Sequence, residues 1–411
     1  MNKEKIKIAF ITPLMIIGGA ETYVINKCEW LIANGFNVIV ISEGGENVAN
    51  LPQGTVHIKL EGISLPPLVF TNSQYNKFKQ NLKTVLLDNE VDVIEAHNSY
   101  PIVHVASVYK DTKIPFFINV LSELSYYRNP LLKIITKKLN GFDLLYLLTP
   151  KMNQYIEEVT KLKLNPNIIQ IPVKPISIND INPNGKYILS VSRLSEDKDY
   201  VRYLIEDFTR LHESNDKFKE YKLIIVGDGK SYNELNELAA TINKRLVKEL
   251  IQLKGTVVGK DLEELYRNCN MFVGMGITLL LAASCAKPSI IAGFTPETNK
   301  FAWGFWGEND LDANIIAISS PENRNGISFQ SAIEIIIESD TRRNIAGSAA
   351  FKMFKENYDY DYIMMLWKKQ YYKIIEICKV DGALIEKELK YYDWSINFYR
   401  EIRRVVKLIG I

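Results

Sequence analysis

The chain is organised by short runs of consecutive apolar residues, each followed by a longer stretch in which apolar positions recur at helical spacing. In the first half these runs fall at 6–12, 38–42, 91–97, 115–120, 144–149 and 168–172. Unbroken Val, Ile and Leu, rather than alternation with polar residues, is the pattern of strands covered on both faces by helices. It predicts a doubly wound parallel sheet. The series restarts at 187–192, 223–227, 251–255, 270–274, 288–293 and 315–319, which predicts a second sheet of the same kind. Between the two lies SINDINPNG at 177–185, rich in turn formers and without an apolar face, and this places the interdomain linker.

The expected organisation is therefore α/β, with two Rossmann-like domains at 1–180 and 181–365 and a helical tail at 366–411. Near the end, Trp394, Phe398, Ile402, Val405 and Ile409 recur three and four apart, interleaved with Arg400, Arg403, Arg404 and Lys407. Packing across the domains is the expected use of that apolar face, and peripheral contact with anionic lipid headgroups is the second reading.

Composition narrows the field. A length of 411 residues suits two cores better than one, and 47% apolar with 24% charged residues is globular composition. With 50 basic and 48 acidic residues the net charge is +2, so the surface as a whole is not built to grip nucleic acid. Cys28, Cys269, Cys285 and Cys378 form no C-x-x-C pair, so neither a zinc nor a redox motif is predicted; they read as buried thiols of a reducing compartment. The apolar start is interrupted by Thr12 and Pro13 and no run of about 18 apolar residues follows, so the expected location is the cytoplasm, at most the inner face of a membrane.

Candidate chemistry sits at strand ends, where open α/β sheets bind ligands. Gly18 and Gly19 lie between the first strand and a helix, where a backbone without Cβ atoms and a helix N-terminus can approach a diphosphate; a tight turn that merely needs glycine reads equally well. Arg193 and Lys198 follow the first strand of the second domain and can neutralise two phosphates. Val226-Gly-Asp-Gly229 ends the next strand, and with Arg193 and Lys198 it suggests one pocket lined by Gly227 and Gly229. Neither half carries a clean G-x-G-x-x-G with a downstream ribose-binding acid, which weighs against a dinucleotide oxidoreductase.

The opening IAFITPLMIIGGAETYVINKCEWLIANGFNVIVIS resembles that of family 4 glycosyltransferases. SVSRLSEDKDY, LIIVGDGKSYNEL and LKGTVVGKDLEELYRNCNMFVGMGITLLLAASCAKPSIIAG continue the resemblance over roughly residues 5–300. It implies a GT-B fold with two domains facing a cleft. It also implies a UDP- or GDP-linked sugar donor held mainly by the second domain, a glycan or lipid-linked acceptor facing the first, and retention of configuration without metal or other cofactor. Gly18 and Gly19 then correspond to the family's glycine loop, and Arg193 and Lys198 to its pyrophosphate pair.

Departures accompany the match. The family carries two glutamates eight positions apart where this chain has Val273 and Leu281, and neither aliphatic group accepts a hydrogen bond. The Gly274, Gly276 and Thr278 turn is the expected substitute, through backbone N–H groups and a hydroxyl. Glu297 is a further candidate carboxylate. The family often has a histidine after the strand reading PFFINVLSEL, where Leu121 stands here. Ser122, Glu123 and the strand-end His97 are the polar groups that can take its place, with His97 and Glu123 the expected catalytic pair; His97 reads equally well as a core or capping histidine. His57, His104 and His212 show no ligand spacing. The rival expectation, favoured by the missing glutamates and histidine, is a non-catalytic partner or chaperone subunit of an active transferase.

Overall fold

A computed structural model describes residues 6–126, 129–177, 185–293, 299–308, 326–390, 392 and 395–399, with the side chains of Glu123 and Leu124 not described. It divides into two compact units, one over Met1–Pro172 and Asp361–Ile411 and the other over Val173–Tyr360.

The first unit alternates β1 (Lys7–Ile11), α1 (Gly19–Ala33), β2 (Asn37–Ser42), β3 (Thr55–Lys59), α2 (Asn72–Asp88), β4 (Val93–His97), α3 (Ser99–Thr112), β5 (Phe116–Val120), α4 (Pro130–Leu139), β6 (Leu145–Leu147), α5 (Pro150–Thr160) and β7 (Asn167–Ile168). The sheet order is β3-β2-β1-β4-β5-β6-β7, and every pairing is parallel. β4 and β5 are buried along their whole length, Glu95, His97 and Asn119 included. The order reverses between β1 and β4, which makes their C-terminal ends the place where such a sheet takes a ligand.

The second unit contains β8 (Tyr187–Val191), α6 (Tyr200–Ser214), β9 (Lys222–Val226), α7 (Tyr232–Leu246), β10 (Ile251–Leu253), α8 (Gly259–Asn268), β11 (Met271–Gly274), α9 (Gly276–Ser284), β12 (Ser289–Ala292), β13 (Ala302–Phe305), α10 (Phe329–Ile337) and α11 (Asp340–Asn357). The order is β10-β9-β8-β11-β12-β13, parallel except for the antiparallel β12–β13 pair at the edge. The equivalent reversal lies between β8 and β11.

The long helix α12 (Tyr360–Leu389) belongs from Asp361 onward to the first unit. Its Trp367, Tyr371 and Ile374 are fully buried, Trp367 lying on Phe117 and Tyr146. Trp30 Nε1 donates to Asp361 Oδ1 at 2.9 Å and Tyr146 OH to Gln370 Oε1 at 2.9 Å. These bonds tie α12 to α1 and β6 of the first unit. Trp394, Arg400 and the basic positions after it lie outside the described residues, as do 178–184 of the linker and the run at 315–319. Among the described residues no helix is long and apolar enough to cross a membrane. All four cysteines are buried and unpaired.

Candidate functional site

At the end of β1 the chain passes through residues 12–17 to the glycine pair. This loop is braced from beneath: Met15 N–H donates to Gly44 O and Asn47 N–H to Met15 O, each at 2.8 Å, while Asn47 Nδ2 donates to Ile16 O at 2.9 Å. Gly45 permits the close approach, since its φ is +139° and a Cβ there would stand 2.3 Å from Met15 O. Gly18 is the N-cap of α1 in extended conformation, with no side-chain cap, and Gly19 opens the helix. A Cβ on Gly18 would meet Glu21 Oε2 at 2.5 Å, so a carboxylate lies beside this helix start. A phosphate there has to displace it.

Behind the loop is a polar cluster that the strand pattern did not reveal. Lys27 of α1 and Glu95 of β4 form an ion pair at 2.8 Å with both side chains fully buried. Glu95 Oε1 also accepts from Tyr23 OH at 3.1 Å and Asn119 Nδ2 at 2.7 Å, and His97 Nε2 lies 2.9 Å away; Oε2 accepts from Tyr371 OH at 2.6 Å. The Lys27 ammonium sits 3.3 Å from the centre of the Trp367 ring. Burial works against the Glu95 charge, but Lys27 and the hydrogen bond from His97 outweigh it and hold the carboxyl well below the usual carboxylate range. Burial likewise pulls Lys27 down to about 8 against the pull of Glu95, so the two remain a charged pair at neutral pH.

His97, expected at a catalytic position, is therefore a wholly buried member of this cluster rather than a group facing ligand. The physical reason is Glu95: a carboxylate on a strand covered on both faces needs every available donor. Glu123 opens a 3-10 turn, Glu123–Tyr126, but its side chain lies outside the described residues. Leu121 N–H donates to Asn98 Oδ1 at 3.1 Å. A sequence signal for the cluster did exist in an acid set inside the apolar run VIEAH. Its partners, 68 and 276 positions away in sequence, carried none.

The second unit presents charge differently. Arg193 follows β8, exposed, with Nη2 donating to Asp197 Oδ2 at 2.8 Å and Nε to Ser195 Oγ at 3.2 Å. Lys198 is half-buried; its N–H donates to Ser195 O at 2.7 Å, and its ammonium makes no hydrogen bond or ion pair among the described residues. Burial first, and then the neighbouring Arg193 cation, hold its ammonium below the ordinary lysine value, with Asp197 pulling the other way. An anion placed beside both cations relieves that repulsion.

Gly227 and Gly229 belong to this site through packing. Their φ values are +142° and +147°, and added Cβ atoms would stand 1.8 Å from Ser192 O and 2.2 Å from Leu194 O. Only glycine lets the β9 end lie against the segment that carries Arg193, where Leu194 N–H donates to Asp228 O at 2.9 Å.

Beyond β11, Met275 N-caps α9 without a side-chain bond, and Gly276 begins the helix at φ +63°. Thr278 Oγ donates to Met275 O at 2.9 Å, so its proton is turned to the backbone and its oxygen keeps the capacity to accept, as a carboxylate would. Val273 is fully buried in the core of the unit, and Leu281 is half-buried on α9. Glu297 lies outside the described residues. Among those described, no group of three or more His, Cys, Asp and Glu side chains is placed to hold a metal ion.

Residues 17–168 match the family described as Glycosyltransferase Family 4, and residues 185–302 match Glycosyl transferases group 1. The chain belongs to the family 4 glycosyltransferases. Solved structures of this family 4 glycosyltransferase's fold include a glycosyltransferase from Rickettsia africae, 16% identical over 90% of this chain and 99% of that one, with a TM-score of 0.68. HepE of Anabaena in complex with UDP and glucose is 16% identical over 89% and 99% of the two chains, with a TM-score of 0.63. Sucrose-phosphate synthase from Thermosynechococcus elongatus is 13% identical over 90% and 100%, with a TM-score of 0.65. A comparison with curated proteins finds no match. The glycosyltransferase fold is thus the GT-B arrangement of two Rossmann-like units.

Proposed function

We infer that this glycosyltransferase takes its sugar from a nucleotide diphosphate donor, UDP-linked before GDP-linked, and holds the diphosphate at the β8 end of the second unit. The observation that carries this reading is Lys198, a partly buried cation crowded by Arg193 and without an ion pair of its own among the described residues. HepE was solved with UDP-glucose, which favours uridine. As the bond from the sugar carbon to the diphosphate oxygen breaks, negative charge grows on the leaving group. Arg193, Lys198 and the uncapped N-terminus of α9 are fixed positive groups suited to stabilise it. Fixed cations of this kind suit a transfer that needs no metal or other cofactor, and the family resemblance favours retention of configuration. The acceptor is a glycan, glycolipid or other cell-surface molecule recognised by the first unit, and the enzyme works in the cytoplasm.

The test is calorimetric titration with UDP and GDP. Arg193→Ala with Lys198→Ala is expected to weaken binding by about tenfold or more; unchanged binding removes the pair from the donor site.

A second reading, a non-catalytic partner of an active transferase, is favoured by one observation: Val273 is sealed in the core, so the first glutamate position of the family offers no polar group to a donor. Screening UDP- and GDP-sugars for thermal stabilisation and hydrolysis separates the two. Turnover of any donor ends the second reading.

A further inference from the structure

The cluster around Glu95 leaves three atoms without a protein partner among the described residues: Thr12 Oγ1, His97 Nδ1 and Asn119 Oδ1. All three side chains are fully buried. Register makes them neighbours. β1 and β4 pair at Ile11 and Ala96, which sets Thr12 beside His97, and β4 and β5 pair His97 with Asn119. They also share one face of the sheet. His97 and Asn119 both reach Glu95 Oε1, and the Phe10 ring, two residues before Thr12, lies 5.9 Å from the His97 ring. Thr12 N–H still bonds Ile41 O at 3.1 Å, so strand alternation holds through it.

The hydrogen-bond inventory fixes what fits. An ionised Glu95 accepts, so His97 Nε2 donates, and in the neutral ring Nδ1 then presents a lone pair. Asn119 Nδ2 donates to Tyr23 OH at 2.8 Å and to Glu95, which leaves Oδ1 as an acceptor. The Thr12 hydroxyl both donates and accepts. Two acceptors and a hydroxyl, enclosed and polar, match the two donors and two lone pairs of water.

We propose that the ends of β1, β4 and β5 bind internal water, and that this water extends the Glu95 cluster to the loop leading to Gly18 and Gly19. Thr12 is then a positioning residue for that loop, and α12 is tied to the same loop through Tyr371 and Glu95. The water site stands on the cluster alone; only its bearing on ligand binding rests on the proposed function.

Thr12→Val decides it by sign, because valine has the shape of threonine without the hydroxyl. If the three atoms lack a water, the substitution removes an unpaired buried hydroxyl and raises the melting temperature. With water bound it lowers the melting temperature by about 2–4 °C, and Thr12→Ser restores most of the loss. Amide hydrogen exchange at residues 14–19 is expected to quicken in Thr12→Val and to stay near wild type in Thr12→Ser. If the valine variant does not fold, a crystal structure of the full chain that shows ordered solvent decides instead, with a peak expected within hydrogen-bond distance of His97 Nδ1 and one neighbouring atom. A raised melting temperature, or no such peak, overturns the site whatever the outcome of nucleotide titration.

Discussion

At the strand ends of the first unit the charged groups are paired with one another, whereas those of the second unit stand near solvent, with one cation lacking a direct partner among the described residues. Glu95 accepts hydrogen bonds from α1, β4, β5 and α12 in a space closed to solvent. Lys198 has a like charge beside it and no acid bonded to it among the described residues. Full satisfaction marks a group that fixes structure, and incomplete neutralisation marks one that awaits a ligand.

The most severe way to break the comparison is to remove a charge from the buried ion pair. Lys27→Met leaves a buried carboxylate without its cation and is expected to cost about 3–5 kcal/mol in urea unfolding. The double variant Lys27→Met with Glu95→Leu is expected to cost less than the sum of the two single variants, because no charge is then stranded. pH tests the same pair. The folded pKa of Glu95 is depressed from its ordinary 4.5, so the unfolded chain binds more protons in between; the stabilisation is complete above about pH 4.5 and drains as pH falls toward the folded value. Lys27, lowered from 10.5 to about 8, makes stability rise with pH across that alkaline window. Glu95→Gln is expected to flatten the acid-side slope in melts across pH.

The second unit should answer the opposite way. Arg193→Ala with Lys198→Ala is expected to leave unfolding within about 0.5 kcal/mol of wild type while weakening UDP binding as proposed. Binding should also take up protons at alkaline pH, since a bound diphosphate raises the depressed Lys198 value toward its ordinary 10.5. Calorimetry in buffers of differing ionisation heat reads that uptake, and its persistence in Lys198→Met would assign it elsewhere.

His212 shows the cost of incomplete satisfaction inside the second unit. It is buried, neither ring nitrogen meets a well-aligned partner among the described residues, and burial, followed by Lys219 and Lys248, holds it below its ordinary 6.5. The unfolded chain therefore binds the proton more readily, and stability is expected to fall as pH drops through about 6.5. His212→Leu should raise stability by about 1–3 kcal/mol and remove that slope; a loss in thermal melts would show a partner for the ring.

Much of the fold was legible because a strand covered on both faces has to be apolar throughout. β1, β2, β4, β5 and β6 in the first unit, and β8 to β12 in the second, each coincide with a mainly apolar run. β3 and β13, both edge strands, coincide with no run. β3 reads TVHIK, with Val56 half exposed, and β13 pairs antiparallel on one side. The site was legible in position more than in role. Arg193 and Lys198 stand at a strand end as the pattern requires, but the need for glycine at 227 and 229 is a clash with carbonyls of another loop, which no local spacing encodes. His97 was undecidable from its neighbours, because its role is set by Lys27 and Tyr371 from distant helices.

The smallest effect concerns how helices end. α3 and α5 terminate on Lys113 and Lys161 in the left-handed region, at φ +55° and +56°, while α7 terminates on Val247 at φ +51°. An unbranched lysine bears that conformation more easily than valine, whose two γ-carbons crowd the backbone. Val247 is 92% exposed, so no packing compensates. Left-handed backbone costs an L residue about 1–2 kcal/mol, and glycine gives back about 0.5–1 in chain entropy. Val247→Gly is therefore expected to raise stability by at most about 1.5 kcal/mol, with Val247→Asn close behind. The gain should appear in the unfolding of the second unit alone. If the glycine variant melts lower than wild type, chain entropy outweighs the strain, and this helix end is no less settled than the two that close on lysine.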